Sequence, residues 1–312
     1  MSRATRTRHV IAGASTALLV SLAPVGVARA AGDPAAAAAD SAAAAAAAAQ
    51  CTLPFPLRIG DFSHPLRIDN RFFPLRPGTS MTYRGTTVND AGQRVPHSVV
   101  FTVTDLFKQV DGVRSRIIHD VDIISGQVAE AELSFFAQDD RGAVWNLGEY
   151  PEEIENGRFA GAPSTWISGQ RNATGGIHML PDPAAPRVRG QQYLQGRSPS
   201  IDFLDCAAVA GVGGTTTVPA GRFTGTLTTH ETSPLDSRTA IQTKAHAPGV
   251  GIVRIGHLND PDGEELALAS LVTLTEPQLE RIDAQVSVMD RRGNRVSAVY
   301  RTTGPLRESD RD

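Results

Sequence analysis

From Ser80 onward the sequence repeats one pattern, in which short runs of β-branched and aromatic residues end in turns rich in Gly, Asp or Asn. The runs include SMTYRGTTV, HSVVFTVTD, VRSRIIHDVDIIS, VAEAELSFFAQ and AVWNLGE. No window of residues 80–275 carries a three-four apolar repeat over three helical turns, and strands at this spacing favour antiparallel hairpins over strand–helix–strand units. The sequence therefore predicts an all-β, mostly antiparallel fold, either a curved meander sheet or a half-barrel.

Two stretches depart from this pattern. Residues 150–200 contain six prolines, which predicts long irregular loops with short strands at STWIS and QQYLQ. After Thr275, Pro277 predicts the first turn of a helix at EPQLERID, whereas VSVMDRRGNRVSAVY indicates one more hairpin. The folded part is thus divided into a β domain over residues 51–275, a helix or hairpin appendage over 276–302 and a polar tail over 303–312.

The first thirty residues have the composition of a secretory signal peptide. Three arginines precede an apolar run from Val10 to Leu22, and the small residues of a cleavage site end at Ala30. The apolar run is shorter than the roughly 20 residues that a membrane span needs. We therefore expect a secreted, extracellular protein with no transmembrane segment once residues 1–30 are removed.

Residues 31–50 are mostly alanine. An isolated helix of this length is marginal in water, and this one would have no apolar stripe to pack. The composition predicts a mobile spacer, with a fraying helix as the alternative. A lipid anchor on Cys51 is disfavoured, because Gln50 precedes it and the cysteine lies far beyond the apolar run of the signal.

Removal of residues 1–30 makes the chain more acidic. The segment contains four of the 30 Lys and Arg residues and none of the 33 Asp and Glu residues, so acids then exceed bases by seven. Nucleic-acid binding needs clustered positive charge. We therefore expect no nucleic-acid partner.

Cys51 and Cys206 are the two cysteines of the chain. In an oxidising compartment a pair of cysteines most simply forms a disulfide. The bridge would tie the start of the β domain to a strand or loop deep in its sequence. Two free buried thiols are the alternative.

Three sequence units resemble the signatures of an uncharacterised secreted β-rich family of high-GC bacteria. They are NRFFPLRPGTSMTYRG, FFAQDDRGAVWNLGE and HAPGVGIVR, similar in order to N-x-x-F-P-L-x-P-G, A-Q-D-x-x-G-x-V-W-x-x-G-E and A-P-G-V-G-x-V. VPAGRFTG, residues 218–225, is similar to a unit of secreted proteins related to half-barrel lipid and lipoprotein carriers. The resemblance spans residues 68–275 and implies a curved antiparallel sheet but no activity.

The unit FFAQDDRGAVWNLGE, residues 135–149, has a purely structural interpretation. Gly142 can adopt the positive φ of a hairpin turn, and the Asp139 side chain can bond back to the turn backbone. Strand alternation then predicts that Trp145 lies on the same face as Leu147 and Glu149 and packs its ring against the sheet.

The other interpretation of this region is an acidic rim that binds a metal. Asp120, Glu130, Asp139 and Glu149 lie where the resembled family also carries acids, and converging carboxylates suit a hard cation such as Ca²⁺. Ser134 departs from the family, in which an acid is usual at that position. These four acids are the candidate metal ligands. The candidate binding residues are His119, Asp120, Glu130, Glu149 and Trp145.

Patterns for catalysis are incomplete. A two-residue turn at Gly126-Gln127 would place His119 opposite Ser134, as in a base and nucleophile pair. However, no acid is assigned to orient the histidine, and no G-x-S-x-G motif is present. NDPDGEE resembles the start of a calcium loop at Asp260 and Asp262 but is first a turn signal. The histidines lack zinc-ligand spacing.

A curved sheet with an apolar concave face predicts a module that binds an apolar small molecule or an envelope component, with a few polar groups at the mouth of its pocket. A secreted hydrolase with an acidic, metal-dependent site is the alternative. A purely structural envelope protein is the third interpretation. The incomplete catalytic patterns favour the binding module.

Overall fold

The computed structural model describes residues 51–89, 91–235, 239–260 and 263–309, and the backbone of a short antiparallel strand pair, Thr7–Arg8 with Thr16–Ala17. Apart from that pair, the predictions of a signal peptide over residues 1–30 and of a spacer over 31–50 fall outside the described residues. Within the described part of the chain, no helix combines the length and the apolar composition that crossing a membrane requires.

The described chain forms a closed barrel of twelve antiparallel strands, arranged as two meanders. The first meander comprises β1 (Thr79–Val88), β2 (Arg94–Val110), β3 (Val113–Ile124), β4 (Gln127–Gln138) and β5 (Val144–Glu155). Two short strands, β6 (Arg158–Gly161) and β7 (Trp166–Ile167), pair with β5 outside the barrel order. The second meander comprises β8 (Thr174–Met179), β9 (Gln192–Ser198), β10 (Phe203–Val218), β11 (Gly221–Thr232), β12 (Ile241–Ala247), β13 (Gly251–Leu258) and β14 (Glu265–Thr273).

Two seams join the meanders into a barrel. At one seam β14 pairs with β1, and Leu268 lies opposite Tyr83. At the other, β8 pairs with β5, and Gly176 lies opposite Asn146. The all-β, antiparallel prediction is confirmed. The sheet closes into a barrel because β8, which lies in the stretch predicted as loops, is a strand that pairs with β5. Its glycines give β8 a weak strand signal in the sequence. The packing requires glycine at position 176, because a Cβ on Gly176 would lie only 2.2 Å from the carbonyl carbon of Gln195.

The position of Phe73 identifies the inner face of the barrel. Its ring centroid lies 6.4 Å from that of Phe101 in β2, 5.6 Å from Phe136 in β4 and 4.2 Å from His178 in β8. Side chains from three separated strands can meet one ring only inside the barrel. Because Asp120 lies directly opposite Phe101, it also faces inward.

Residues 65–75 cross one end of the barrel and place the Phe73 ring inside it. On one side, Asn70 Nδ2 donates to the Gly142 carbonyl at 2.8 Å. On the other side, the Gly249 amide donates to the Arg71 carbonyl at 2.7 Å. The segment therefore joins the β4–β5 turn to the β12–β13 turn and covers that end.

A single helix, α1 (Glu276–Val296), follows β14. Thr275 and Gln278 form a capping box, and Pro277 lies in the first turn, so the predicted helix start is confirmed. The residues on its buried face are Leu279, Val286, Met289, Asp290 and Gly293.

The hairpin predicted over VSVMDRRGNRVSAVY is wrong, because α1 continues to Val296. Gly293 had the character of a turn residue in the sequence. In the structure this glycine makes room for an aromatic ring: a Cβ built on it would lie 2.7 Å from Cδ1 of Tyr300. Packing against the barrel thus overrides the local turn signal.

Ionic and hydrogen-bonded contacts fasten α1 to the outer face of the first meander. The Lys108 ammonium of β2 pairs with the Asp290 carboxylate, to which the Tyr300 hydroxyl also donates at 2.9 Å. Arg292 pairs with Glu152 of β5. The C-terminal segment is therefore tied to strands that come early in the sequence.

The predicted disulfide between Cys51 and Cys206 is confirmed, and it spans a sequence separation of 155. Both cysteines are buried with Leu204 on the outside of the second meander. The next residue, Thr52, forms a parallel bridge with Tyr193 of β9. The N-terminal segment is therefore tied to strands that come late in the sequence.

Candidate functional site

Five carboxylates gather inside the barrel, and we call Asp120, Asp122, Glu130, Glu132 and Glu264 the acidic cluster. Asp120 lies directly opposite Glu132, and Asp122 opposite Glu130, across the β3–β4 pair. All five residues are buried, with exposures of only 3–8%. Buried carboxylates are costly unless they are paired or hydrogen-bonded, so this concentration marks a candidate site.

His97 and Gln242 join Glu264 to the rest of the cluster. His97 Nε2 lies 2.6 Å from Asp122 Oδ1, and its Nδ1 lies 3.4 Å from Glu264 Oε2. Gln242 Nε2 donates to Glu264 Oε1 at 2.8 Å. No sequence pattern marks His97, Gln242 or Glu264 as partners, because they come from β2, β12 and the segment before β14.

The charged form of Glu132 is disfavoured by its surroundings. Burial raises its pKa well above the ordinary value of 4.5, and the negative charges of Glu149, Glu130 and Asp120 raise it further, while the Ser134 hydroxyl offsets part of the shift. None of the described residues hydrogen-bonds to Glu132 Oε1 or to Gln242 Oε1. Both side chains are more than nine-tenths buried, so these two oxygens inside the barrel lack a hydrogen-bond partner among the described residues.

This pKa shift predicts a pH dependence of stability. For an acid whose pKa is raised by folding, the stabilising contribution is full below the ordinary pKa of 4.5 and is lost as pH rises through the raised value. We expect the free energy of unfolding, measured in urea, to fall more between pH 5 and pH 8 in the wild type than in Glu132→Gln. Glu155→Gln, at the exposed end of β5, is the matched control. Equal slopes in the wild type and Glu132→Gln would contradict the raised pKa.

Glu149 also faces inward but is fully engaged. Asn146 Nδ2 donates to its Oε1 at 2.6 Å, and Trp166 Nε1 donates to its Oε2 at 2.9 Å. A bulge in β5 creates this arrangement: Asn146 lies opposite Phe136, whereas Glu149 lies opposite Ser134. Glu149 therefore disfavours the charged form of Glu132 through its own charge, while its oxygens are occupied by these two donors.

Trp145 is buried on the outer face of the barrel, so the prediction that it shares a face with Glu149 is wrong. The bulge inserts one extra residue and reverses the alternation between them. The Trp145 ring packs edge-on against Phe55 at 5.8 Å and Phe62 at 6.2 Å. Trp145 is thus a packing residue, away from the acidic cluster.

Asp139 belongs to the hairpin turn, as the structural interpretation predicted. Its Oδ1 accepts from the backbone amides of Arg141 at 3.0 Å and Ala143 at 2.9 Å, and its Oδ2 accepts from Trp145 Nε1 at 3.1 Å. Gly142 adopts a φ of 91° in this turn. These bonds hold Asp139 toward the indole on the outer face.

The four predicted metal ligands are therefore not assembled. Asp120, Glu130 and Glu149 face inward, whereas Asp139 lies in the outer turn. In the described ranges no group of three or more His, Cys, Asp and Glu side chains could hold a metal ion. Asp262 of the NDPDGEE turn lies outside the described residues, so the calcium-loop resemblance there stays a prediction.

The predicted pairing of His119 with Ser134 is wrong. His119 lies opposite Leu133, and Ser134 lies opposite Ile118, which puts the two side chains on opposite faces. The turn is formed by Ser125-Gly126, and a bulge after Asp122 shifts the register. Burial lowers the pKa of His119 to about 4, so this histidine is a neutral packing residue.

No family model and no curated protein matches the sequence. Three solved structures show a distant similarity to this chain. One, described as an exported protein with a YmcC-like fold from Bacteroides fragilis, has a TM-score of 0.39 and 14% identity, covering 65% of this chain and 99% of that one. A lipoprotein-like structure from Parabacteroides distasonis has a TM-score of 0.38 and 16% identity over 65% and 99%. A β-barrel-like protein of a domain of unknown function from Brucella abortus has a TM-score of 0.35 and 10% identity over 64% and 100%.

Proposed function

We propose that this protein is an extracytoplasmic binding module that holds a cationic organic ligand at the acidic cluster inside its barrel. The Cys51–Cys206 disulfide supports a location outside the cytoplasm, because disulfides persist in oxidising compartments. Secretion into the medium, as the first thirty residues predict, is part of the same proposal.

The observation that carries the proposal is the concentration of buried carboxyl groups in the acidic cluster. Asp122 and Glu264 of this cluster contact His97, and Glu132 Oε1 has no hydrogen-bond partner among the described residues. An ammonium or guanidinium group would bring a positive charge and several hydrogen-bond donors to these carboxyl groups. This favours a cationic group over the wholly apolar ligand expected from the sequence.

The apolar part of the interior is already filled from within the chain. Phe73 contacts Phe101 and Phe136 there. An apolar portion of the ligand would therefore contact the walls near the acidic cluster. A metal ion is less well supported, since no three-ligand group exists in the described part of the chain.

Binding of hexylammonium, a simple organic cation, tests the proposal. Calorimetric titration at pH 8 should detect binding of hexylammonium to the wild type. It should detect no binding of hexanol, the neutral analogue. Glu132→Gln should weaken binding roughly 10- to 100-fold, because a charge-assisted hydrogen bond contributes about 1.5–3 kcal/mol. Affinity should also rise with pH, since Glu132 must lose its proton to pair with the cation.

Glu155→Gln removes the same charge from an exposed position and should leave affinity within about twofold. If the two variants bind hexylammonium equally, the acidic cluster does not hold the cation. If CaCl₂ raises the melting temperature and hexylammonium does not, the metal interpretation replaces this one.

A secreted hydrolase is the second candidate. It is favoured by a single observation, a carboxyl with a raised pKa beside other carboxylates, which is the arrangement that separates a general acid from a base. Hydrolysis of chromogenic glycosides or esters that is lost in Glu132→Gln would support it. Absence of turnover together with hexylammonium binding would leave the binding module.

A further inference from the structure

A second polar group lies inside the barrel, on the wall formed by the second meander. Lys244 of β12 and Glu231 of β11 form an ion pair with a 2.6 Å separation between Nζ and Oε2. Lys244 is fully buried, and Glu231 is 5% exposed. A buried ion pair is rarely retained for stability, because its desolvation cost offsets much of its attraction.

The surroundings of this pair are rich in donors. Gln195 Nε2 and Thr229 Oγ1 each lie 3.4 Å from Glu231 Oε1, so the carboxylate is surrounded. Tyr193 OH and His178 Nε2 have no hydrogen-bond partner among the described residues. Both side chains are 2% exposed, and buried polar atoms of this kind normally have a partner.

The charge states of these residues define what they could bind. Burial and the nearby Lys244 charge keep the pKa of His178 well below 6.5, so its ring is neutral. Burial and Glu231 raise the pKa of Tyr193, so its hydroxyl keeps its proton. With Glu231 balancing Lys244, the Tyr193 hydroxyl and the ammonium protons not directed at Glu231 are donors, and the unpartnered Nε2 of the neutral His178 ring is a donor in one of its two tautomers.

The Lys244–Glu231 pair lies next to the acidic cluster. Glu231 lies directly opposite Gln242, and Gln242 donates to Glu264 of the acidic cluster. Lys244 and Glu264 come from β12 and from the residue before β14, two strands apart, which corresponds to roughly 10 Å.

We propose that Lys244 and Tyr193 form a second subsite that binds a carboxylate of the same ligand. The inference rests on the proposed function, because the ligand's cationic group occupies the acidic cluster. The ligand class is then a zwitterion with amine and carboxylate several bonds apart. Donors without acceptors suit a carboxylate, as acceptors without donors suit the amine.

The test compares two probes that differ only in the carboxylate, hexylammonium and 6-aminohexanoate. Calorimetry should show 6-aminohexanoate binding the wild type about tenfold more tightly, and Tyr193→Phe should reduce its affinity about fivefold. Hexylammonium affinity should stay unchanged in Tyr193→Phe. Tyr300→Phe removes an equally buried hydroxyl on the outside of the barrel and should change neither affinity.

Stability provides an independent measurement. A hydroxyl without a partner contributes nothing to folding, so the ligand-free Tyr193→Phe protein should melt at or above the wild-type temperature. Equal affinities for the two probes, or a lower melting temperature with unchanged affinities, would mean that ordered water alone satisfies this group and would overturn the inference. If neither probe binds the wild type, the proposed function itself fails.

Discussion

Replacement of both Cys51 and Cys206 by alanine should lower the free energy of unfolding by about 5 kcal/mol, as the chain-entropy model gives for a closed loop of this length. The bridge joins residues separated by 155 positions, so its loss frees a large part of the unfolded chain. Alanine is preferred to serine because both positions are buried in an apolar cluster. Urea unfolding of the double variant against the wild type measures the difference.

Reduction of the wild-type protein is the companion measurement and should give a similar loss. A change below about 1 kcal/mol in both experiments would show that the remaining N-terminal contacts, such as the bridge of Thr52 with Tyr193, hold the segment without the disulfide.

Replacement of Trp145 by alanine should lower the free energy of unfolding by about 3–5 kcal/mol, the usual cost of removing a fully buried large aromatic side chain. The ring has no exposed surface, and Phe55 and Phe62 pack against it. Its loss would detach this part of the N-terminal segment from the outer face. Chemical denaturation with fluorescence of the remaining Trp166 follows the transition.

Trp145→Phe is the matched control, since it keeps a ring but removes the indole donor to Asp139, and it should cost less than the alanine variant. Asp139→Ala should cost more than the loss of one turn bond, because three donors converge on this carboxylate. A cost below 1 kcal/mol for Trp145→Ala would contradict the packing described.

The strand pattern was readable in the sequence because each strand of the first meander alternates and ends in a local turn. Registers were not, since they depend on bulges that the sequence does not mark. One bulge after Asp122 separates His119 from Ser134, and another in β5 separates Trp145 from Glu149. Each bulge moved a predicted pair onto opposite faces.

The composition of the acidic cluster could be predicted from the sequence only in part. Alternation places Glu130 and Glu132 on one face of β4, but Asp120 shares that face only because of the bulge after Asp122. His97 reaches Asp122 from the neighbouring strand β2, whereas Glu264 joins them only across the seam between β14 and β1, a pairing of sequence-distant strands that no local pattern marks. The Lys244–Glu231 pair gave no sequence signal, because isolated charged residues in strands are usually exposed.

The way the two chain ends are fastened has a consequence for a cleaved molecule. The N-terminal segment is bonded to the second meander through Cys51 and Cys206, and α1 is bonded to the first meander through Lys108 and Asp290. The disulfide and the ion pair therefore each join the part of the chain before the exposed β5–β6 turn, residues 156–157, to the part after it. A protease that cleaves this turn would leave two fragments held together by both contacts, and they would migrate as one species until the disulfide is reduced.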